Sequence, residues 1–314
     1  MWQLASGVFF GWSLGTNDAA NVFGTAVASR MVRFWTAAVI CSLGLILGAW
    51  LEGAAGIETY AALSSGQGSL HTAFLVCLVA AITVTGMTWL RLPVSATQAV
   101  VGGLLGVGAW TGNIQFSVLG KVAACWVGTP LGAMLIAVAV FFVLGQLLNR
   151  LHLNMFQYDF GMRLLLLLAG GYGSYALGAN NVANATGPFV GPGMLDVQTA
   201  CLLGGASIAL GVLTFSRGVM MTVGGGLVKL DAFSALVVVV AEGITVHIYA
   251  VLGVPVSTSQ AVVGAVLGIG LVKGIRTVNR KTLRSILLAW VSTPTVAFLM
   301  TWIAILILRQ GGWM

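Results

Sequence analysis

Two seven-residue stretches hold most of the polar chemistry of this sequence. Gly15-Thr-Asn-Asp-Ala-Ala-Asn21 lies in the first half and Gly178-Ala-Asn-Asn-Val-Ala-Asn184 in the second. In each, two asparagines stand four residues apart, Asn17 with Asn21 and Asn180 with Asn184, so that on a helix each pair shares one face. Asp18 adds a carboxylate to the first cluster, and Asn181 occupies the matching place in the second. Amides offer donors and acceptors together, and a carboxylate adds charge, so such a set can hold an ion or a small polar solute. Both clusters sit inside hydrophobic runs long enough to cross a bilayer, where unpaired polar groups are costly. Amide bonds between neighbouring helices, with Gly15 and Gly178 loosening the backbone, would account for one copy. Two copies at matching positions favour a binding site at the interface between the halves.

A second pair of elements follows the same duplication. Pro93-Val-Ser-Ala-Thr-Gln98 is matched by Pro255-Val-Ser-Thr-Ser-Gln260. Each resembles a capping box, with Ser95 or Ser257 at the N-cap and Gln98 or Gln260 three residues on. Capping alone explains the pattern without a ligand. A helix that begins within the membrane is nevertheless unusual. Its free N–H groups, with Thr97, Thr258 and Ser259 nearby, also make an anion site that needs neither Arg nor Lys.

The elements that must position these residues follow from composition. Of 314 residues 59% are hydrophobic and 7% charged, and the mean hydropathy is +1.02, too few charges to cover a water-soluble globule of this size. The expected class is an all-α integral membrane protein with about ten spans. They are placed at 3–29, 34–51, 72–90, 93–110 and 117–148, then 163–190, 197–216, 232–252, 255–272 and 284–308. The spans at Pro93 and Pro255 are short and Gly-rich, so each either crosses or re-enters as a half-helix near the midplane. The first run carries motif residues rather than a signal-peptide cleavage pattern. Cys41, Cys77, Cys125 and Cys201 are scattered singly, without metal or disulfide spacing, and read as packing residues.

Asn17 maps onto Asn180 at a shift of 163, Pro93 onto Pro255 at 162, and Trp126-Val-Gly-Thr-Pro130 onto Trp290-Val-Ser-Thr-Pro294 at 164. Three colinear matches indicate duplication within a single membrane domain, residues 1–150 and 151–314 forming the repeats. Five spans per repeat would turn the second copy upside down. Loop charge agrees. If alternate loops face the cytoplasm, twelve of the fourteen basic residues fall inside, among them Arg30, Arg33, Arg91, Arg150, Arg163, Arg217, Lys229, Lys273, Arg276, Arg280, Lys281 and Arg284. Lys121 and Arg309 fall outside, as do both termini. The net charge of +7 is thereby an orientation signal and not a nucleic-acid surface.

Within the spans the acids are Asp18 and Glu242, joined by His247. A lone intramembrane acid marks a functional site, and Asp18 could ligate Na⁺ or carry a proton. Glu242, Thr245 and His247 align with Ala80, Thr83 and Thr85, which breaks the symmetry. Two readings stand for Glu242 and His247: a local hydrogen-bonded pair, or a part in coupling.

The duplicated motifs resemble those of the inorganic phosphate transporter (PiT) family, whose mark is a repeated Gly-Ala-Asn-Asp-x-Ala-Asn. The resemblance extends to Phe23-Gly-Thr25 and Thr186-Gly-Pro188 and covers both halves. It implies a secondary transporter, with an anion held between the repeats and Na⁺ or H⁺ as coupling ion. Asn17, Asp18, Asn180 and Asn181 would then hold the coupling ion. Asn17, Asn21, Asn180 and Asn184 would also line the substrate site, with Ser95, Thr97, Gln98, Ser257, Thr258, Ser259 and Gln260 as anion donors. This chain carries Asn181 where phosphate members usually have Asp, and Gln98 and Gln260 where they have His. Sulfate only accepts hydrogen bonds, whereas hydrogen phosphate also donates one, so a site moved towards donors favours sulfate. The family's short sulfate-permease branch also lacks a long central hydrophilic loop, as this chain does.

The expected function is thus a cation-coupled symporter importing a tetrahedral oxyanion, sulfate before phosphate. No cofactor or metal is expected beyond Na⁺ at Asp18, and the surroundings would be an inner-membrane bilayer, with a homodimer as a compatible assembly. An intramembrane protease would need Ser partnered with His, and a metalloenzyme clustered ligands; neither is present in the sequence. A passive anion channel is left open, separated from a transporter by gradient-driven accumulation.

Overall fold

The computed structural model describes residues 2–64, 70–89, 94–223, 230–274 and 280–310. Pro93, Arg91, Lys229 and Arg276 lie outside the described residues, as do the side chains of Arg280 and Lys281. The described residues fold into helices without a strand. The first half contains α1 (Leu4–Ala28), α2 (Phe34–Glu52), α3 (Ala54–Ser64), α4 (Leu70–Trp89), α5 (Ala96–Thr111) and α6 (Phe116–Arg150). The second contains α7 (Met155–Val190), α8 (Val197–Val223), α9 (Ala232–Val251), α10 (Thr258–Lys273) and α11 (Arg280–Gln310).

Seven helices, α2, α4, α6, α7, α8, α9 and α11, are long and apolar enough to cross a bilayer. The 25-residue α1 is long enough too, but the amides of its motif dilute its hydropathy. With 16 residues each, α5 and α10 reach only about 24 Å, short of the ~30 Å hydrocarbon core. These are the two short, Gly-rich segments expected from the sequence. The motif helices α1 and α7, by contrast, run unbroken through Asn17–Asn21 and Asn180–Asn184.

Three boundaries differ clearly from the sequence expectation, one of them the end of α8, which runs on to Val223 past the expected 216. Helix α3 occupies a stretch read as a loop, because Gly56 and Glu58 interrupt its apolar run. Helix α7 begins at Met155 instead of 163, its polar first turns fixed by a reciprocal cap between Asn154 and Gln157 and an exposed Asp159–Arg163 pair.

The halves interlock by exchanging partners. Helix α1 packs on α8 as α7 packs on α2, and α5 packs on α11 as α10 packs on α6. The motif glycines make this approach. A Cβ at Gly15 would run into the Ile208 carbonyl, and one at Gly178 into the Leu45 carbonyl. Their role is close helix contact, and the loosening of the backbone expected from sequence does not occur. Likewise Gly102 sits against the Pro294 backbone and Gly264 against that of Pro130. Each proline lies inside a long helix, where it deprives the carbonyl four residues earlier of its donor. Thr129 and Thr293 donate to the neighbouring carbonyls of Cys125 and Ala289, both at 2.6 Å.

At the helix ends, ordinary capping holds. The Asp196 carboxylate accepts from the Thr199 hydroxyl and N–H, which holds it below the usual carboxylate range. Partial burial pushes the Asp231 carboxyl up, but bonds from Ser234 and Lys273 outweigh it and leave it lowered.

Candidate functional site

Helices α1 and α7 cross in opposite directions. A Cβ at Gly170 would meet Phe23 and one at Gly7 would meet Phe189, with Asp18 and Asn181 between. There Asn181 Nδ2 donates to Asp18 Oδ2 at 2.7 Å, joining the two motifs directly. Asn181 Oδ1 in turn accepts from Asn180 Nδ2 at 2.8 Å and Asn184 Nδ2 at 3.2 Å. All four residues are buried. The i, i+4 spacing that placed Asn180 and Asn184 on one face therefore converges on a single acceptor, and the network ends at the one carboxylate.

The two short helices begin against this network. Ser95 Oγ accepts from Gln98 N–H and Ser257 Oγ from Gln260 N–H, each at 3.3 Å, so both N-caps form as the sequence indicates. The capping box does not close. Gln98 Oε1 and Gln260 Oε1 are buried without any hydrogen-bond partner, so neither glutamine oxygen accepts the N-cap N–H that a closed box would give it. The two starts are tied by equivalent bonds in opposite senses: Thr97 Oγ1 donates to the Val256 carbonyl and Ser259 Oγ to the Val94 carbonyl, both at 3.0 Å. Ser257 and Ser259 hydroxyls share a bond of 2.9 Å.

Asparagines link the starts to the motif helices. Asn180 embraces the Val256 peptide, donating to its carbonyl at 2.8 Å and accepting its N–H at 3.0 Å. Asn184 Nδ2 lies 3.4 Å from Thr97 Oγ1, and Asn21 Nδ2 donates to Thr258 Oγ1 at 3.2 Å. Asn17 instead turns to Thr88 on α4, donating to its hydroxyl at 2.9 Å, and makes no hydrogen bond to Asp18 or Asn181. The structure thus gathers Asp18, Asn21, Ser95, Thr97, Gln98, Asn180, Asn181, Asn184, Ser257, Thr258, Ser259 and Gln260 around the meeting of α1, α5, α7 and α10. The described buried residues include no Lys or Arg, so any anion here is held by dipoles and neutral donors.

One site residue was not legible in the sequence. Tyr60 on α3 is fully buried, packs on Gly187 and donates to Asn184 Oδ1 at 2.6 Å. Its only signal was the Tyr in a run broken by Glu58, which alone points nowhere. The pairing of Glu242 with His247 is also corrected. His247 Nε2 meets Glu52 Oε2 at 2.7 Å and its Nδ1 meets Tyr172 Oη at 2.8 Å, near the half-exposed ends of α2 and α9. Residues 242 and 247 are five apart on a helix and face different ways.

Comparison with known proteins agrees with this architecture. The model of the phosphate transporter family matches residues 14–158 and again residues 152–301. A Methanocaldococcus jannaschii protein described as a phosphate permease is 29% identical over 290 residues, covering 92% of this chain and 91% of that protein. The sulfate permease CysP of Bacillus subtilis is 27% identical over 307 residues, covering 95% and 85%. Among solved structures, a sodium-dependent phosphate transporter superposes with a TM-score of 0.84 over 99% of this chain and 100% of that one, at 22% identity.

Proposed function

The chain belongs to the phosphate transporter family, and we propose that it is a cation-coupled symporter importing a tetrahedral inorganic oxyanion, with sulfate preferred to phosphate. As a family member it is a multi-pass membrane transporter of inorganic anions and not an enzyme. The observation that carries the finer reading is the pair of helix starts bound to one another through Thr97 and Ser259, with the Gln98 and Gln260 side chains buried beside them. First-turn N–H groups and amides solvate a dianion that only accepts, and no second carboxylate stands at position 181 to repel it. The antiparallel crossing of α1 and α7 and the exchanged helix partners support residues 1–150 and 151–314 as inverted repeats, and the bias of basic residues to alternate loops supports both termini outside the plasma membrane.

Asp18 takes the coupling cation in this reading. Asparagine oxygens around it are hard ligands of the kind Na⁺ uses, and the carboxylate equally accepts a proton. Phosphate is the second reading, favoured by Asp18 itself, which can accept the phosphate O–H at the end of the network. Uptake of labelled sulfate and phosphate into proteoliposomes, with Na⁺ and proton gradients imposed separately, tests both. Sulfate uptake should exceed phosphate uptake and each should compete accordingly. Phosphate displacing sulfate at equal or lower concentration would make phosphate the substrate. Uptake that never exceeds equilibrium under any gradient would make the chain a channel.

A further inference from the structure

Glu242 is the residue of the membrane interior that the site above leaves unused. It is 1% exposed, its Oε2 has no hydrogen-bond partner, and its expected neighbour His247 is occupied by Glu52 and Tyr172. A buried carboxyl with an unsatisfied oxygen is among the most costly groups a bilayer-spanning helix can carry. The fold does not require it, since the equivalent position of the first half is Ala80, fully buried in α4. Thr245 beside it, matched by Thr83, donates to the Ala241 carbonyl at 2.7 Å and not to Glu242.

Its neighbour across the helix seam is Asp18. At Gly173 on α7 a side chain would meet Val22 of α1 at 3.1 Å and Val239 of α9 at 3.7 Å. Asp18 is one turn before Val22, and Glu242 about one turn after Val239. Because α1 runs against α7 while α9 runs with it, Gly173 lying against Gly243 and Asn180 against Val256, both steps lead the same way. Asp18 and Glu242 are thus carried by two helices that meet at Gly173 of α7, with Gly243, the neighbour of Glu242, against Gly173 itself and Asp18 bonded to Asn181 further along α7. The other titratable groups near Glu242 are Cys41 on α2 and Tyr172 on α7. Among the described residues no cation faces it: Lys273 of α10 bonds to Asp231 at the start of α9, 11 residues and about 16 Å away along the axis, and Arg150 ends α6.

We propose that Glu242 is a second cation-loading carboxyl, so that Asp18 and Glu242 each take one monovalent cation, Na⁺ or H⁺, per oxyanion carried. This rests on the oxyanion-symport reading for its charge balance. Two empty carboxylates carry two negative charges. With two cations and one sulfate dianion aboard, the carrier again carries two, so it crosses in both directions with the same charge. With Asp18 alone the cycle moves one net negative charge per sulfate.

Sulfate uptake into proteoliposomes is measured as a function of cation concentration and of an imposed potassium-diffusion potential. The native protein should show a cation dependence of order about two and little response to potential. Glu242→Gln should reduce the order to about one and slow uptake severalfold when the lumen is negative, while gradient-free sulfate exchange persists. Unchanged order and unchanged insensitivity to potential in that variant overturn the proposal. Should the variant not reconstitute, a hydrophobic carbodiimide on the native protein decides, with its adduct mapped by mass spectrometry. Protection of Glu242 by Na⁺ identifies sodium, labelling that falls only with rising pH identifies the proton, and labelling insensitive to both overturns the proposal. If the native protein moves no oxyanion at all, the symport reading fails, and the carbodiimide result still reports on the cation site.

Discussion

Tyr60→Phe isolates one oxygen of the site. The ring remains, so packing on Gly187 and the burial of α3 are kept, and the fold should be retained. What goes is the 2.6 Å bond that holds Asn184 Oδ1, and with it the orientation that aims Asn184 Nδ2 at Asn181 and Thr97. A buried acceptor left without its donor costs roughly 1–3 kcal/mol, and the orphaned amide can turn over to recover part of that. If about 1–2 kcal/mol of it falls on the anion-competent arrangement, affinity drops by roughly 5- to 30-fold. The assay is sulfate binding and initial uptake in proteoliposomes, measured in the native background and again with Asn184→Ala. The tyrosine acts through Asn184, so Tyr60→Phe should add almost nothing once that amide is gone. An affinity within twofold of native, or full additivity with Asn184→Ala, would refute the argument that α3 helps to build the site.

Gly178→Ala should lower thermal stability in detergent by the equivalent of at least the ~1–3 kcal/mol of an overpacked core, since its methyl meets the Leu45 carbonyl, whereas Gly132→Ala, with open space at that position, should be neutral; equal melting temperatures would remove the close approach of α7 and α2 as a constraint. Single cysteines near Arg30 and Asp196 should label from opposite faces of the membrane, and labelling from one face would end the inverted arrangement. Asp231 is held low in the fold, so its contribution is present above the unfolded carboxylate pKa of about 4 and is lost as pH falls through the lower folded value. Asp231→Asn keeps an N-cap and gives up an exposed ion pair with Lys273, so stability at neutral pH should change by less than about 1 kcal/mol and the acid-dependent part should vanish; a persistent acid transition of the same size would exclude Asp231 as its source. Gln98→His, Gln260→His and Asn181→Asp together should move preference towards phosphate in competition uptake; unchanged sulfate preference in an active triple variant would refute the donor argument.

Periodic and local signals in the sequence were sufficient for part of this molecule. Apolar runs set by bilayer thickness locate the helices, and N-caps at Ser95 and Ser257 depend on neighbours three residues away. The asparagine faces depend on helical spacing alone, and duplication brings the two motifs into one expected site. Partners more than a hundred residues apart were a different matter. Nothing local distinguishes Tyr60 from any other tyrosine in a short broken run; its meaning comes from α3 lying on α7, where Asn184 has an oxygen to spare. Gly15 and Gly178 read as loosening elements because glycine is flexible in isolation, yet tertiary contact with Ile208 and Leu45 makes them points of rigid approach. His247 seemed to belong with Glu242 because both are polar within one turn and a half of the same helix. Packing assigned it to Glu52, since a helix turns 100° per residue and neighbours in sequence face different partners. That assignment, made only in three dimensions, leaves Glu242 Oε2 buried without a hydrogen-bond partner among the described residues.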